Sequence, residues 1–178
     1  MRRGKPIIYW DTSVFLAWIK DEKRRNNEMD GVNDVANKIH KDHVILLTST
    51  ITTAEILEST LTEVAKQRLT DLFKRKNFQQ VAADGRVMKL SHEIRDYYQQ
   101  RKDIDQLPTV TTPDAIHLAT AIIYAASEFH TFDENNELRK RRALLPLNGN
   151  VAGYHLIICK PPLPPQQDLF NAGKEKKE

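Results

Sequence analysis

The stretch IIYWDTSVFL, residues 7–16, joins two apolar runs through a single aspartate. Residues 6–10 read as a buried strand, an unbroken apolar run of the kind found in a sheet covered on both faces. Val14, Phe15 and Leu16 open an apolar helix over 12–19. Asp11 therefore puts a charge where two pieces of core meet, at the carboxyl end of a strand. In an open parallel sheet, ligands bind there.

The same alternation recurs outward from this point. The charged connection KDEKRRNNE (20–28) leads to a helix from about 29 to 40, and VILLT (44–48) reads as a second buried strand. Helices follow at 53–59 and 62–76, with Val64, Leu69, Leu72 and Phe73 on one face of the latter. FQQVAAD (78–84) is a weaker strand, and 85–101 has helical spacing. TTPDAIHLATAIIYAAS (111–127) is the clearest helix, with Thr112 as N-cap and Pro113 in the first helical position. EFHTF (128–132) then reads as a strand, ENNELRKRR (134–142) as a helix and YHLIIC (154–159) as the last strand. Continuous apolar strands alternating with helices predict an α/β fold with a parallel sheet between helical layers.

Composition narrows the class. The 178 residues suit one domain, with 40% hydrophobic and 29% charged residues and a net charge of only +3. Cys159 is the sole cysteine, so neither an internal disulfide nor a cysteine-based zinc site is available, which fits a reducing interior. The basic start at residues 1–5 mimics a signal peptide, but Asp11 breaks the following apolar run and no small-residue cleavage site follows. The apolar run within 115–126 is too short to span a bilayer. A cytoplasmic protein without a membrane partner is expected. The domain is expected to end at residue 160, followed by a proline-rich, charged and extended tail over 161–178.

Four acids stand at the ends of elements. Asp11 closes the first strand and Asp133 closes the strand before it. Glu55 and Asp114 fall in the expected first turns of two helices. Each alone has a plain explanation as a turn or helix-start residue. Together they suggest a cation site, because clustered carboxylates repel one another until a cation joins them. Hard ions such as Mg²⁺ take oxygen ligands and substrate phosphate. No glycine-rich phosphate loop competes, the chain having six glycines in all.

The pieces YWDTSVF, TAEIL, TPDAIHLATA and TFDENNEL, spread over residues 6–138, resemble the PIN-domain nucleases, most closely the VapC-type toxins of toxin–antitoxin pairs. The resemblance implies a three-layer fold with a five-stranded parallel sheet. It implies that Asp11, Glu55, Asp114 and Asp133 are the metal-binding and catalytic acids, with Thr12, Ser13 and Thr131 beside them. It also implies an endoribonuclease dependent on Mg²⁺ or Mn²⁺, an antitoxin partner, and a homodimer with its interface within residues 28–76. The chain departs from the family pattern in extra residues around 20–34, around 102–111 and in the tail.

Other residues admit two readings. His117, three after Asp114, is either a site residue or, the better supported reading, a histidine of the core. Glu58 could join Glu55, although a solvated glutamate is the simpler reading. Arg139, Lys140, Arg141 and Arg142 could track an RNA backbone or form a solvated helix face. A phosphohydrolase with Asp11 as nucleophile would need an acid two residues on, where Ser13 stands. An RNA-processing nuclease outside any toxin pair, and a binding module that no longer cleaves, are the remaining alternatives.

Overall fold

The computed structural model describes residues 4–57, 60–135 and 141–165. Glu58, Arg139, Lys140, most of the helix expected at 134–142 and the tail beyond 165 lie outside the described residues. The elements are β1 Ile7–Trp10, α1 Thr12–Lys20, α2 Glu28–His40, β2 Ile45–Ser49, α3 Thr50–Glu55 and α4 Glu63–Phe73. Then come β3 Phe78–Val81, α5 Gly85–Gln100, α6 Lys102–Asp105, α7 Thr112–Ile123, β4 Glu128–His130 and β5 Ile158–Cys159.

All five strands pair in parallel in the order β3-β2-β1-β4-β5. Alternate residues of β1 feed opposite helical layers. Tyr9, with Leu47, Phe129 and Ile158, packs on α5 and α7 through Leu90, Ile94 and Leu118. Ile8 and Trp10, with Leu46, pack on α1, α2 and α4 through Phe15, Val32, Val35 and Leu69. The sequence runs outward from β1 through β2 to β3, then crosses back to β4 on the other side. The strand order therefore reverses at the β1–β4 boundary, where a cleft opens beyond the strand ends. No helix among the described residues is long and apolar enough to cross a membrane.

Several elements differ from expectation for physical reasons. Ser49 ends β2 and caps α3 through a bond from the Ile51 N–H, so α3 starts without a loop and Glu55 falls in its last turn. Thr111 caps α7, accepting from the Asp114 N–H, which moves Pro113 past the first helical position. On α4 the buried face is Ala65, Leu69 and Leu72, while Val64 is 65% exposed. The last strand keeps only two residues. The segment before it makes local bonds instead, the Gly149 N–H to the Leu156 carbonyl, the Ile158 N–H to the Asn148 side chain and a Val151–Tyr154 bridge, while the Ile157 carbonyl accepts from the Phe129 N–H.

The insertions are tied down. Arg142 is 5% exposed, pairs with Asp105 at 3.0 Å, donates to the Leu107 and Pro108 carbonyls, and lies over the Tyr98 ring. It staples the 102–111 segment to the core. Lys160 bridges Glu28 and Glu134. Pro161 is buried beyond it, against Gly31 of α2, so the packed chain continues past the expected boundary at 160.

A β-carbon at Gly31 would stand 2.3 Å from the Pro161 carbonyl oxygen. Gly31→Ala should therefore cost about 1–3 kcal/mol, the range for overpacking, although alanine is the better helix former. In a chain ending at Lys160 the same substitution should be neutral or stabilising. Thermal melts of the four proteins decide it, and an alanine penalty that survives truncation excludes this contact as its cause.

Candidate active site

The cleft at the strand reversal has a volume of about 350 Å³ and is lined by Asp11, Thr12, Ser13, Arg24, Glu55, Asp114, His117, Phe132, Asp133 and Arg141. The four expected acids, carried by four separate elements, all face it. A cleft of about 380 Å³ on the α1–α2 side, lined in part by Trp10, Trp18 and Arg75, has no acid in its wall.

Asp11 is the most tightly held. Its Oδ1 accepts from the Ser13 hydroxyl at 2.7 Å and the Val14 N–H at 3.1 Å, which also caps α1. Its Oδ2 accepts from the Thr131 hydroxyl at 2.5 Å. Each hydroxyl passes the connection on, Ser13 accepting from the Phe132 N–H and Thr131 from the Asp133 N–H. Two short relays thus fix the chain leaving β4 relative to Asp11, and with it Asp133. The expected supporting residues Thr12, Ser13 and Thr131 are all brought to these acids.

Glu55 accepts from Thr12 Oγ1, and its Oε2 lies 2.9 Å from His117 Nε2. Burial works against its charge, but these bonds from His117 and Thr12 outweigh it and hold its pKa below the ordinary glutamate range. Asp114 and Asp133 go the other way. Burial, helped by the charge of Asp11, raises Asp114 although Thr111 donates to it. Asp133 is raised to about 6 by burial and by the charges of Asp114 and Asp11, despite its 2.6 Å ion pair with Arg141. Hard oxygen donors that resist sharing negative charge suit a divalent cation, which relieves their repulsion. Asp11, Glu55, Asp114 and Asp133 are the residues that could hold one.

A second group of potential donors, Glu128, His130 and Cys159, has its atoms within 4.8 Å of one another. Its own hydrogen bonds account for it. Trp10 Nε1–H donates to His130 Nδ1, which leaves the ring hydrogen on Nε2, facing Glu128 at 2.8 Å. That nitrogen then has no lone pair for a metal, and burial lifts the Cys159 thiol to about 11.

Of the basic run, Arg141 reaches the cleft and Arg142 does not: it is spent inside the 102–111 staple, so it faces no RNA backbone. Arg24 lines the cleft instead, with its guanidinium 3.8 Å from the Phe132 ring centre. Nothing in the charged text KDEKRRNNE singled it out, because its role depends on a ring 108 residues away in the sequence. Tyr9 was legible only as a strand residue. Its hydroxyl in fact contacts His117, which is both buried and a wall of the cleft.

The model of the PIN domain family matches residues 8–143, about three quarters of the chain. Among solved structures, a chain of VapBC2 from Rickettsia felis, bound there to a DNA fragment from its promoter, is similar in fold. The TM-score is 0.54 at 14% identity, over 86% of this chain and 97% of that one. No curated protein sequence matches.

The raised Asp133 pKa gives a pH signature to the metal-free protein. Its folded value, about 6, lies above the ordinary 3.8. Ionising it therefore costs folding energy above pH 6, and that cost disappears as the pH falls towards 4. Asp133→Asn should be more stable than wild type at pH 7.5 in EDTA, by the order of 1 kcal/mol. The gap should shrink below pH 6 and close near pH 4. A gap independent of pH would show that Asp133 is not strained by its charge.

Proposed function

The chain belongs to the PIN domain family, whose members are typically nucleases, and on that premise we propose that it is a metal-dependent endoribonuclease of a toxin–antitoxin pair. One observation carries the reading: four carboxylates from four elements line one cleft at the point where the strand order reverses. Asp11, Glu55, Asp114 and Asp133 are the proposed catalytic, metal-binding acids, and Mg²⁺ or Mn²⁺ the proposed ion. Bound there, the ion would lower the pKa of a water and offset charge developing on a phosphodiester.

The chain's own residues supply the rest. Ser13, Thr131 and the Val14 N–H aim Asp11. His117 and Thr12 aim Glu55 and favour its ionised form. Arg24 and Arg141, on the rim, give an anionic backbone two guanidinium partners, Arg141 taking that part on release from Asp133. RNA is the proposed substrate. An antitoxin partner is supported by the likeness to VapBC2, and a homodimer by the exposed apolar side chains Leu57, Val64 and Phe73 within residues 28–76.

Purified protein should cut RNA with Mg²⁺ or Mn²⁺ and stop in EDTA. Asp114→Asn should abolish cutting yet leave the metal-free protein as stable as wild type, or more stable by about 1 kcal/mol. Mn²⁺ should raise the melting temperature of wild type far more than that of the variant. Full cleavage in EDTA, or by Asp114→Asn, would remove the metal mechanism. Sedimentation at micromolar concentration should give a dimer, and Val64→Glu a monomer; a wild-type monomer rules that interface out.

A further inference from the structure

His117 stands between the core and the cleft, and its two ring nitrogens are spoken for in a fixed direction. The Ser49 N–H donates to the Tyr9 hydroxyl oxygen at 3.1 Å. The Glu55 carboxylate facing Nε2 can only accept, so the 2.7 Å contact between Tyr9 and His117 runs from the phenol hydrogen to Nδ1. A neutral ring that accepts at Nδ1 carries its hydrogen on Nε2. Nε2 lies 2.9 Å from Glu55 Oε2. The bonds therefore run one way, from the backbone at the end of β2, through Tyr9 and His117, to the carboxylate of Glu55.

The support matters because Glu55 has only one other side-chain donor among the described residues, the Thr12 hydroxyl. It is the last residue of a six-residue helix whose buried residue is Thr52, and its side chain is about 30% exposed. Glutamate also has more rotatable bonds than the three aspartates. Tyr9, by contrast, is wholly buried, stacked on Phe129 at 5.0 Å with the rings 8° from parallel, and edge-on to His117. The buried end of the chain of bonds is in the sheet and the partly exposed end is in the cleft.

We propose that Tyr9 and His117 are positioning residues for Glu55: the Tyr9 hydroxyl selects the Nε2–H form of His117, and that N–H holds one carboxylate oxygen so that the other is presented to the cleft. His117 does not meet substrate, since both ring nitrogens are engaged and the side chain is 3% exposed. The role in metal binding rests on the nuclease reading above, whereas the selection of the ring form does not.

The test begins with nitrogen-15 NMR of the histidine rings in metal-free protein. Wild type should show His117 as the Nε2–H form, and Tyr9→Phe, which keeps the stacked ring, should show a mixture with the Nδ1–H form. Titration with Mn²⁺ should then give about tenfold weaker binding for Tyr9→Phe, the lower end of what lost outer partners of metal ligands cost. RNA cleavage should fall in parallel. His117→Gln, which still offers an N–H towards Glu55, should recover most of the affinity that His117→Leu loses. An Nδ1–H ring in wild type overturns the proposal. So does Tyr9→Phe that binds Mn²⁺ as wild type does while melting lower, which is the behaviour of a residue that only packs. A wild type that neither binds Mn²⁺ nor cuts RNA defeats the nuclease reading instead, and the ring spectra then decide this proposal alone.

Discussion

The Asp11 carboxylate is the interaction on which the cleft depends. It caps α1, so the helix after β1 starts where it does because the side chain turns back to the Val14 N–H. It accepts from Thr131, so the ends of β1 and β4 are locked across the strand reversal. It is also one wall of the acid cleft. One side chain thus sets a helix start, a strand-end alignment and a site. Removing it would confound stability with activity, since a lost cap alone costs about 1 kcal/mol. Asp114 separates the two better, because its helix is capped by Thr111.

The four acids divide by how their surroundings treat charge. Glu55 is kept ionised by donors, while Asp114 and Asp133 are pushed towards protonation by burial and by their neighbours. Arg141 partly compensates Asp133. A cation entering the cleft would therefore find two acids already shaped by hydrogen bonds and two whose charge it must stabilise. Ion and guanidinium compete for Asp133, so the affinity for the ion is reduced by whatever the Arg141 pair is worth.

Most of the fold was legible because its signals are local. Continuous apolar strands such as IIYW and ILLTS can only be interior to a covered sheet, and the alternation with helices fixed the class. Three of the four acids sit where strand ends and a helix start predicted. Glu55 was placed in the right cleft but the wrong turn, because Ser49 caps α3 without a loop. The misses share a cause, which is partners distant in sequence. Arg142 looked like its basic neighbours until Asp105, Leu107 and Pro108 came round to meet it. Arg24 needed Phe132 and Tyr9 needed His117. Val64 and Ala65 differ by one position, and the finer choice of face was made by what α4 packs against.

The bond from Thr131 to Asp11 joins residues 120 apart in the chain. β1 lies in the middle of the sheet, yet its partner β4 comes after α7, late in the sequence. Such long-range closures form late and slowly. During synthesis the first strand must therefore wait, paired on one side only, until the segment around Asp133 has left the ribosome. No shorter nascent chain can bring the acids together. The four acids therefore meet only after the segment that carries the last of them, Asp133, has been made.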